Sequence, residues 1–199
     1  MLPVLKIGKL SKAGKAGEFA KAGTLGKVID PGRFLKPKID PAAPGGALFP
    51  KDYDPLGGLA PDEFLTKYWN PDKVDRDGDR GGWNYPPDEG FDHSPGVPPP
   101  EVVKGMRPGD TFDRFGNPTG AYVSPEGTSF PERALPPQSA ELDYHSYELA
   151  KPFDTKSGFP TEGTVAPAFG QPGGGTQIKL PKKVEWLIEH GYLKEKVLK

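Results

Sequence analysis

Apolar positions in this chain come in short runs that mostly alternate with polar ones, and glycine or proline breaks nearly every run. Residues 61–69 fit a helix. Pro61 suits the first helical position, Asp62 and Glu63 suit the first turn, and Phe64, Leu65, Tyr68 and Trp69 share an apolar face. Asn70 and Pro71 end it, and residues 72–92 read as an acidic, glycine-rich loop anchored by Trp83 and Tyr85. Alternation predicts strands at 111–115 and 121–124, joined as a hairpin by the turn 116–120. A third strand is predicted at 142–149 and two more at 163–169 and 175–180, with residues 170–174 between the last two. A closing helix is predicted over 181–190, with Val184, Leu187 and Ile188 on one face and Gly191 ending it. The expected class is α+β: short antiparallel strands forming a central mixed sheet, one helix before it, one after, and many Gly/Pro loops. No glycine fingerprint follows a strand, which argues against a doubly wound dinucleotide fold.

Composition divides the chain. Gly 27 and Pro 26 in 199 residues are roughly twice the ordinary share. Residues 1–50 hold nine Lys or Arg against three Asp or Glu, whereas residues 51–199 hold 17 against 24. The first segment, with Lys-Ala-Gly units over 11–26 and a Pro/Lys/Asp mixture over 31–44, reads as a basic leader or linker: either a tether or a docking and delivery segment. Residues 51–199 are expected to form the working domain. Its acidic balance argues against general nucleic-acid binding, so any phosphate must meet a local basic group. There is no cysteine, so thiol chemistry and disulfides are excluded. No apolar run reaches the roughly 18 residues of a membrane span, and no secretory signal pattern follows Met1.

Several chemistries lack their residues. His93, His145 and His190 match no zinc-ligand spacing, and no Gly-x-Ser-x-Gly elbow occurs. Asp75, Asp77 and Asp79 begin like a calcium loop, but Arg80 and Pro86 stand where glycine and glutamate are needed; a solvated acidic turn is expected instead. Arg114, between Asp113 and Phe115, is either the partner of Asp113 or a neighbouring acid, or a diphosphate clamp that uses its planar fork. Gln171 precedes Gly173, Gly174 and Gly175 in a constrained bend. It is either a solvent-facing turn amide or a directional hydrogen-bonding group for a ribose or a water, with the glycine amides as a possible anion cradle. His145 shares a strand face with Tyr147 and is either a structural histidine or a phosphate or ribose contact. Tyr122 either lines a pocket or packs in the sheet. Phe115 and Phe169 are candidates to stack on a flat ring, or core residues. His190 is read as a helix C-terminal interaction.

An ordered series of motifs resembles the tuberculosis necrotizing toxin family of NAD glycohydrolases. It runs through Tyr85-Pro86-Pro87 with Gly90-Phe91, Asp113-Arg114-Phe115-Gly116, Ser124-Pro125-Glu126-Gly127-Thr128 and Arg133-Ala134-Leu135-Pro136-Pro137. Tyr144-His145-Ser146-Tyr147, the stretch from Ala166 to Gly175, and Ile188-Glu189-His190-Gly191-Tyr192-Leu193 complete it. Ala168 stands where the family commonly has tryptophan. The resemblance implies hydrolysis of NAD, and of NADP, to nicotinamide and ADP-ribose, with no cofactor and no metal. It places the functional arginine at Arg114 and the functional glutamine at Gln171, with support from Tyr122 and His145. It also implies a toxin secreted or delivered into a target-cell cytosol, an N-terminal delivery module and a cognate immunity protein. The rival readings are an ADP-ribosyltransferase toxin using the same substrate, a nuclease, and a noncatalytic interaction domain.

Overall fold

The computed structural model describes residues 27–75 and 77–198. The Lys-Ala-Gly part of the leader lies outside the described residues. Helix α1 (Pro61–Tyr68) runs directly into β1 (Trp69–Val74), which pairs antiparallel with β2 (Arg80–Trp83). The rest is one seven-stranded sheet built from β3 (Glu101–Val102), β4 (Thr111–Phe115), β5 (Tyr122–Pro125), β6 (Tyr144–Leu149), β7 (Thr161–Thr164), β8 (Thr176–Lys179) and β9 (Leu193–Glu195). Its order is β3-β7-β8-β5-β4-β6-β9, with every pairing antiparallel. Helix α2 (Val184–Glu189) precedes β9. The class is α+β, as the pattern predicts.

The 72–92 region differs from expectation. Rather than a loop, it contains the β1–β2 hairpin, with Trp69 opposite Trp83 and Asn70 opposite Gly82. The ladder survives the polar sequence because Trp69 and Trp83 pack edge to face, with ring centroids 4.9 Å apart, over the aromatic core below. Asp75 closes the turn by accepting from the amides of Asp77 and Asp79 at 2.9 Å each.

Two cores flank the sheet system. In the first, one face of the central strands presents Phe112, Val123, Tyr147 and Ile178, and Val184 and Leu187 of α2 cover it together with Tyr192. In the second, Leu35, Phe64, Trp83, Val165 and Phe169 pack between α1, the hairpin and the β7–β8 connection. The segment 27–50 lies on this body. Leu35 is buried in the second core, Phe49 stacks on Phe130 at 4.4 Å, and the Lys38 amide donates to Glu141 at 2.8 Å.

Candidate active site

The β7–β8 connection carries a tightly constrained bend. Gln171 N donates to Ala168 O at 2.8 Å and Ala168 N to Gln171 O at 3.2 Å. Both intervening residues have positive φ, 51° at Phe169 and 71° at Gly170, the arrangement of a type I′ turn. A bulky side chain in that region costs about 1–3 kcal/mol. Phe169 tolerates it because its ring is fully buried, with Tyr68, Tyr85 and Trp83 at centroid distances of 5.1, 5.3 and 5.9 Å. Burial of such a ring stabilises by about 2–3 kcal/mol, comparable to the strain.

Gln171 leaves this bend only 7% exposed. Its Nε2 donates to the main-chain oxygen of Asp54 at 2.8 Å. Among the described residues no donor reaches its Oε1. The amide is thus oriented through Nε2, with Oε1 unengaged among the described residues.

The glycines that follow do not form the anion cradle anticipated from the run. Gly173 N donates to Pro131 O at 3.3 Å, Gly174 N to Val165 O at 2.9 Å and Gly175 N to Glu132 O at 3.1 Å. Buried amides seek backbone carbonyls, and here Gly173 and Gly175 fasten the connection to the 131–132 turn while Gly174 closes onto Val165. The stacking candidates are core rings. Phe169 is enclosed as described, and Phe115 packs against Phe49, Phe130 and Tyr144 at 5.7, 5.1 and 5.3 Å. Phe169, fully buried, offers no open face to a planar ligand.

Arg114 and His145 stand directly opposite each other on β4 and β6. The half-buried Arg114 bridges the β4–β5 turn, with Nε donating to Gly116 O and Nη1 to Tyr122 O, both at 3.2 Å. Among the described residues these bonds engage two of the five donors of a guanidinium and no other. Burial holds its pKa below the ordinary arginine value, with the phenol of Tyr147 opposing that shift. His145 Nδ1 lies 2.6 Å from Glu195 Oε1. Tyr147, two residues along the same face, has a buried hydroxyl with no partner, and its pKa is pushed up to about 12 by burial and then by Glu195, against Arg114. Arg114, His145, Tyr147 and Glu195 therefore share one neighbourhood at the rim of the first core.

Tyr122 joins this group through its carbonyl alone. Its Cα pairs with Lys179, and its side chain is exposed. Burial raises its pKa first, Glu89 raises it further, and Lys179 opposes. Gln171 lies on the loop whose Ala168 and Phe169 pack in the second core. A cleft of about 530 Å³ opens beside His145, lined by Lys38, Phe115, Tyr144, Glu195 and Lys196 among others. That volume lies within the range of small-molecule sites. Arg114, Tyr122 and Gln171 do not line it.

Asp113 is not the partner of Arg114. Adjacent strand residues point to opposite faces, so Asp113 turns away from it and pairs with Arg133. Asp113 Oδ2 also accepts from the Tyr144 hydroxyl at 2.8 Å and the Gly127 amide at 2.9 Å. Arg133 Nε and Nη2 donate to Thr128 O at 3.0 and 2.8 Å. Period-two alternation across 113–114 carried the signal for this separation. Nothing in the sequence marked Arg133, Glu195 or Asp54 as the partner of its distant contact.

An antiparallel α+β domain with a turn-clamping arginine and a strained, glutamine-bearing bend is the class that the fold and the site define. Residues 105–196 match the family model described as tuberculosis necrotizing toxin, and this stretch contains Arg114, Tyr122, His145 and Gln171. That stretch of the chain is similar to the tuberculosis necrotizing toxin family. The chain is also 34% identical over 155 residues to the conidial surface nicotinamide adenine dinucleotide glycohydrolase of Aspergillus fumigatus. That match covers 72% of this chain and 60% of the relative, so the chain spans about three-fifths of the relative's length. Among solved structures, it is similar to tuberculosis necrotizing toxin complexed with its immunity factor, with a TM-score of 0.60 and 25% identity over 78% of this chain and 83% of that one.

Proposed function

We propose that the protein is an NAD glycohydrolase toxin that cleaves the nicotinamide N-glycosidic bond of NAD, and of NADP, to give nicotinamide and ADP-ribose. The observation that carries this reading is the family match over 105–196, which takes in Arg114, Tyr122, His145 and Gln171 together. The likeness to a nicotinamide adenine dinucleotide glycohydrolase supports it.

The chemistry asks little of the protein. Departure of nicotinamide neutralises a pyridinium, so the leaving group needs no proton. The site has to hold the diphosphate, orient the ribose and place water. Arg114 offers its uncommitted N–H groups to the diphosphate while its other two hold the turn. Gln171 offers its Oε1 to a ribose hydroxyl or to the attacking water. His145 and Tyr122 support these contacts.

Cleavage in a target-cell cytosol after secretion or delivery belongs to the same reading, with residues 1–50 a leader whose part from residue 27 packs on the working domain 51–199. So does a cognate immunity protein that covers the site; the similar solved structure holds its toxin with such a factor. The test is nicotinamide release from NAD by purified protein in chelator. Turnover is expected without metal, with free ADP-ribose as the second product, and Gln171→Ala is expected to lose most of the rate while staying folded. Metal-dependent turnover, an ADP-ribosylated acceptor in place of free ADP-ribose, or an unchanged Gln171→Ala rate overturns it.

A further inference from the structure

Gln171 is oriented by a segment far from it in sequence, and that segment lies outside the stretch that matches the family model. We infer that the turn from Asp54 to Gly58 is a positioning element for Gln171, an assignment that rests on the NAD-hydrolysing reading above.

The turn is built to present one carbonyl. The Asp54 carboxylate accepts from Leu56 N at 2.9 Å through Oδ1 and from Gly58 N at 2.7 Å through Oδ2. The Asp54 main-chain oxygen accepts from Gly57 N at 3.1 Å and from Gln171 Nε2 at 2.8 Å, so both of its lone pairs are engaged. A side chain that caps its own turn on two amides fixes the direction of that carbonyl.

The turn and the bend also touch directly, backbone to backbone. Gly57 has φ 59° and Gly170 has φ 71°. A Cβ on Gly57 would overlap the Gly170 carbonyl, and a Cβ on Gly170 would overlap the Leu56 carbonyl. Only glycine at both places permits the approach and the left-handed backbone together. Tyr68, at the end of α1, holds the bend from a third side by accepting from Gly170 N at 3.2 Å through its hydroxyl.

The consequence is a division of labour within one amide. With Nε2 tied to Asp54 O, the carboxamide cannot flip, and Oε1 is the end left unengaged among the described residues. A free glutamine at this position would sample both orientations and present a donor half of the time. Fixing the amide leaves substrate affinity little changed, because the contact is one of many, and acts on turnover, where direction matters most.

The experiment is a double-mutant cycle on nicotinamide release, joined to an NMR measurement. Asp54→Ala is expected to lower kcat about tenfold with KM within about twofold, since a lost directional contact acts on the barrier. Asp54→Asn, which keeps one capping acceptor, is expected to recover part of the loss. In the Gln171→Ala background, Asp54→Ala should change the residual rate by less than about twofold, because the residue it orients is gone. Equal losses in both backgrounds overturn the assignment while leaving the NAD reading intact. A wild-type protein that releases no nicotinamide overturns the reading and the assignment with it.

The NMR arm reads the wild-type protein itself. In the wild-type protein, one Nε2 proton of Gln171, identified by its disappearance in Gln171→Ala, is expected to be shifted downfield and slow to exchange. A Gln171 amide that exchanges as fast as an exposed one overturns the assignment.

Discussion

Arg133 and Asp113 form an ion pair that is all but sealed from water, with side-chain exposures of 5% and 0%. Tyr144, Gly127 and the Thr128 carbonyl satisfy the remaining groups around it. Asp113, Ser124 and Ser146 line up across three neighbouring strands, so this face of the sheet is buried but polar. Taking one partner from such a pair leaves a buried charge without compensation, at about 3–5 kcal/mol. Arg133→Met is therefore expected to lower stability by about that much in urea unfolding. The double change Asp113→Asn with Arg133→Met should recover a large part of it.

Arg114 is a fork with a structural and a substrate-facing share. Because Nε and Nη1 bind two different carbonyls of the β4–β5 turn, a lysine cannot reproduce the geometry. Arg114→Lys keeps the charge, yet it is expected to lower kcat/KM for NAD by roughly 10²-fold, the scale of losing a preorganised charge-stabilising donor set. Steady-state kinetics on protein with unchanged far-UV circular dichroism checks this.

Residues 27–50 contribute to stability. Truncation at residue 50 removes Leu35 from the second core and Phe49 from its stack on Phe130. Two such side chains are worth about 3–6 kcal/mol of burial. A form beginning at residue 51 is expected to unfold at markedly lower temperature than one beginning at residue 27, and paired calorimetry decides it.

Glu126 sets an acid limb to stability. Its carboxylate accepts from Ser146 Oγ at 2.8 Å and from Lys196 Nζ at 2.7 Å, tying the end of β5 to β6 and to the residue after β9. The Lys196 hydrogen bond, more than any other contact, holds its pKa below the ordinary 4.5. A depressed carboxylate contributes stability that is fully present above the unfolded value and is lost as pH falls through the folded one. Glu126→Gln is expected to lower Tm modestly at neutral pH, with the gap to wild type closing below 4.5. The pair is partly exposed, so added salt should shrink the neutral-pH difference.

Much of the fold was legible from periodicity. Strand β4 falls on the predicted residues, and α1, β5, β6 and β8 lie within two residues of their predicted ends. The closing helix is shorter than expected because Lys183 is still extended, and the β7 ladder ends at Thr164, where the glutamine-bearing connection begins. His190 behaves as a helix-end residue, with Nδ1 2.9 Å from Trp186 O. The β1–β2 hairpin escaped the pattern because it is polar on its exposed face and is held by aromatic packing from below. Strands of two or three residues, β3 and β9, are too short to alternate detectably.

The sequence by itself determined that this is a small, cysteine-free α+β domain and that Arg114 and Gln171 stand in its two most distinctive segments. Local period and turn chemistry carry that information, because they depend on neighbours in the chain. Tertiary structure decided the partners. Asp113 went to Arg133, His145 to Glu195, and the amide of Gln171 to Asp54, each across a separation of 20 residues or more. It also turned Phe115 and Phe169 inward and engaged the glycine amides with backbone. The physical reason is the same in each case. A buried polar group or ring takes whatever complementary surface the fold brings within reach, and that choice is made by packing between segments rather than by the segment itself.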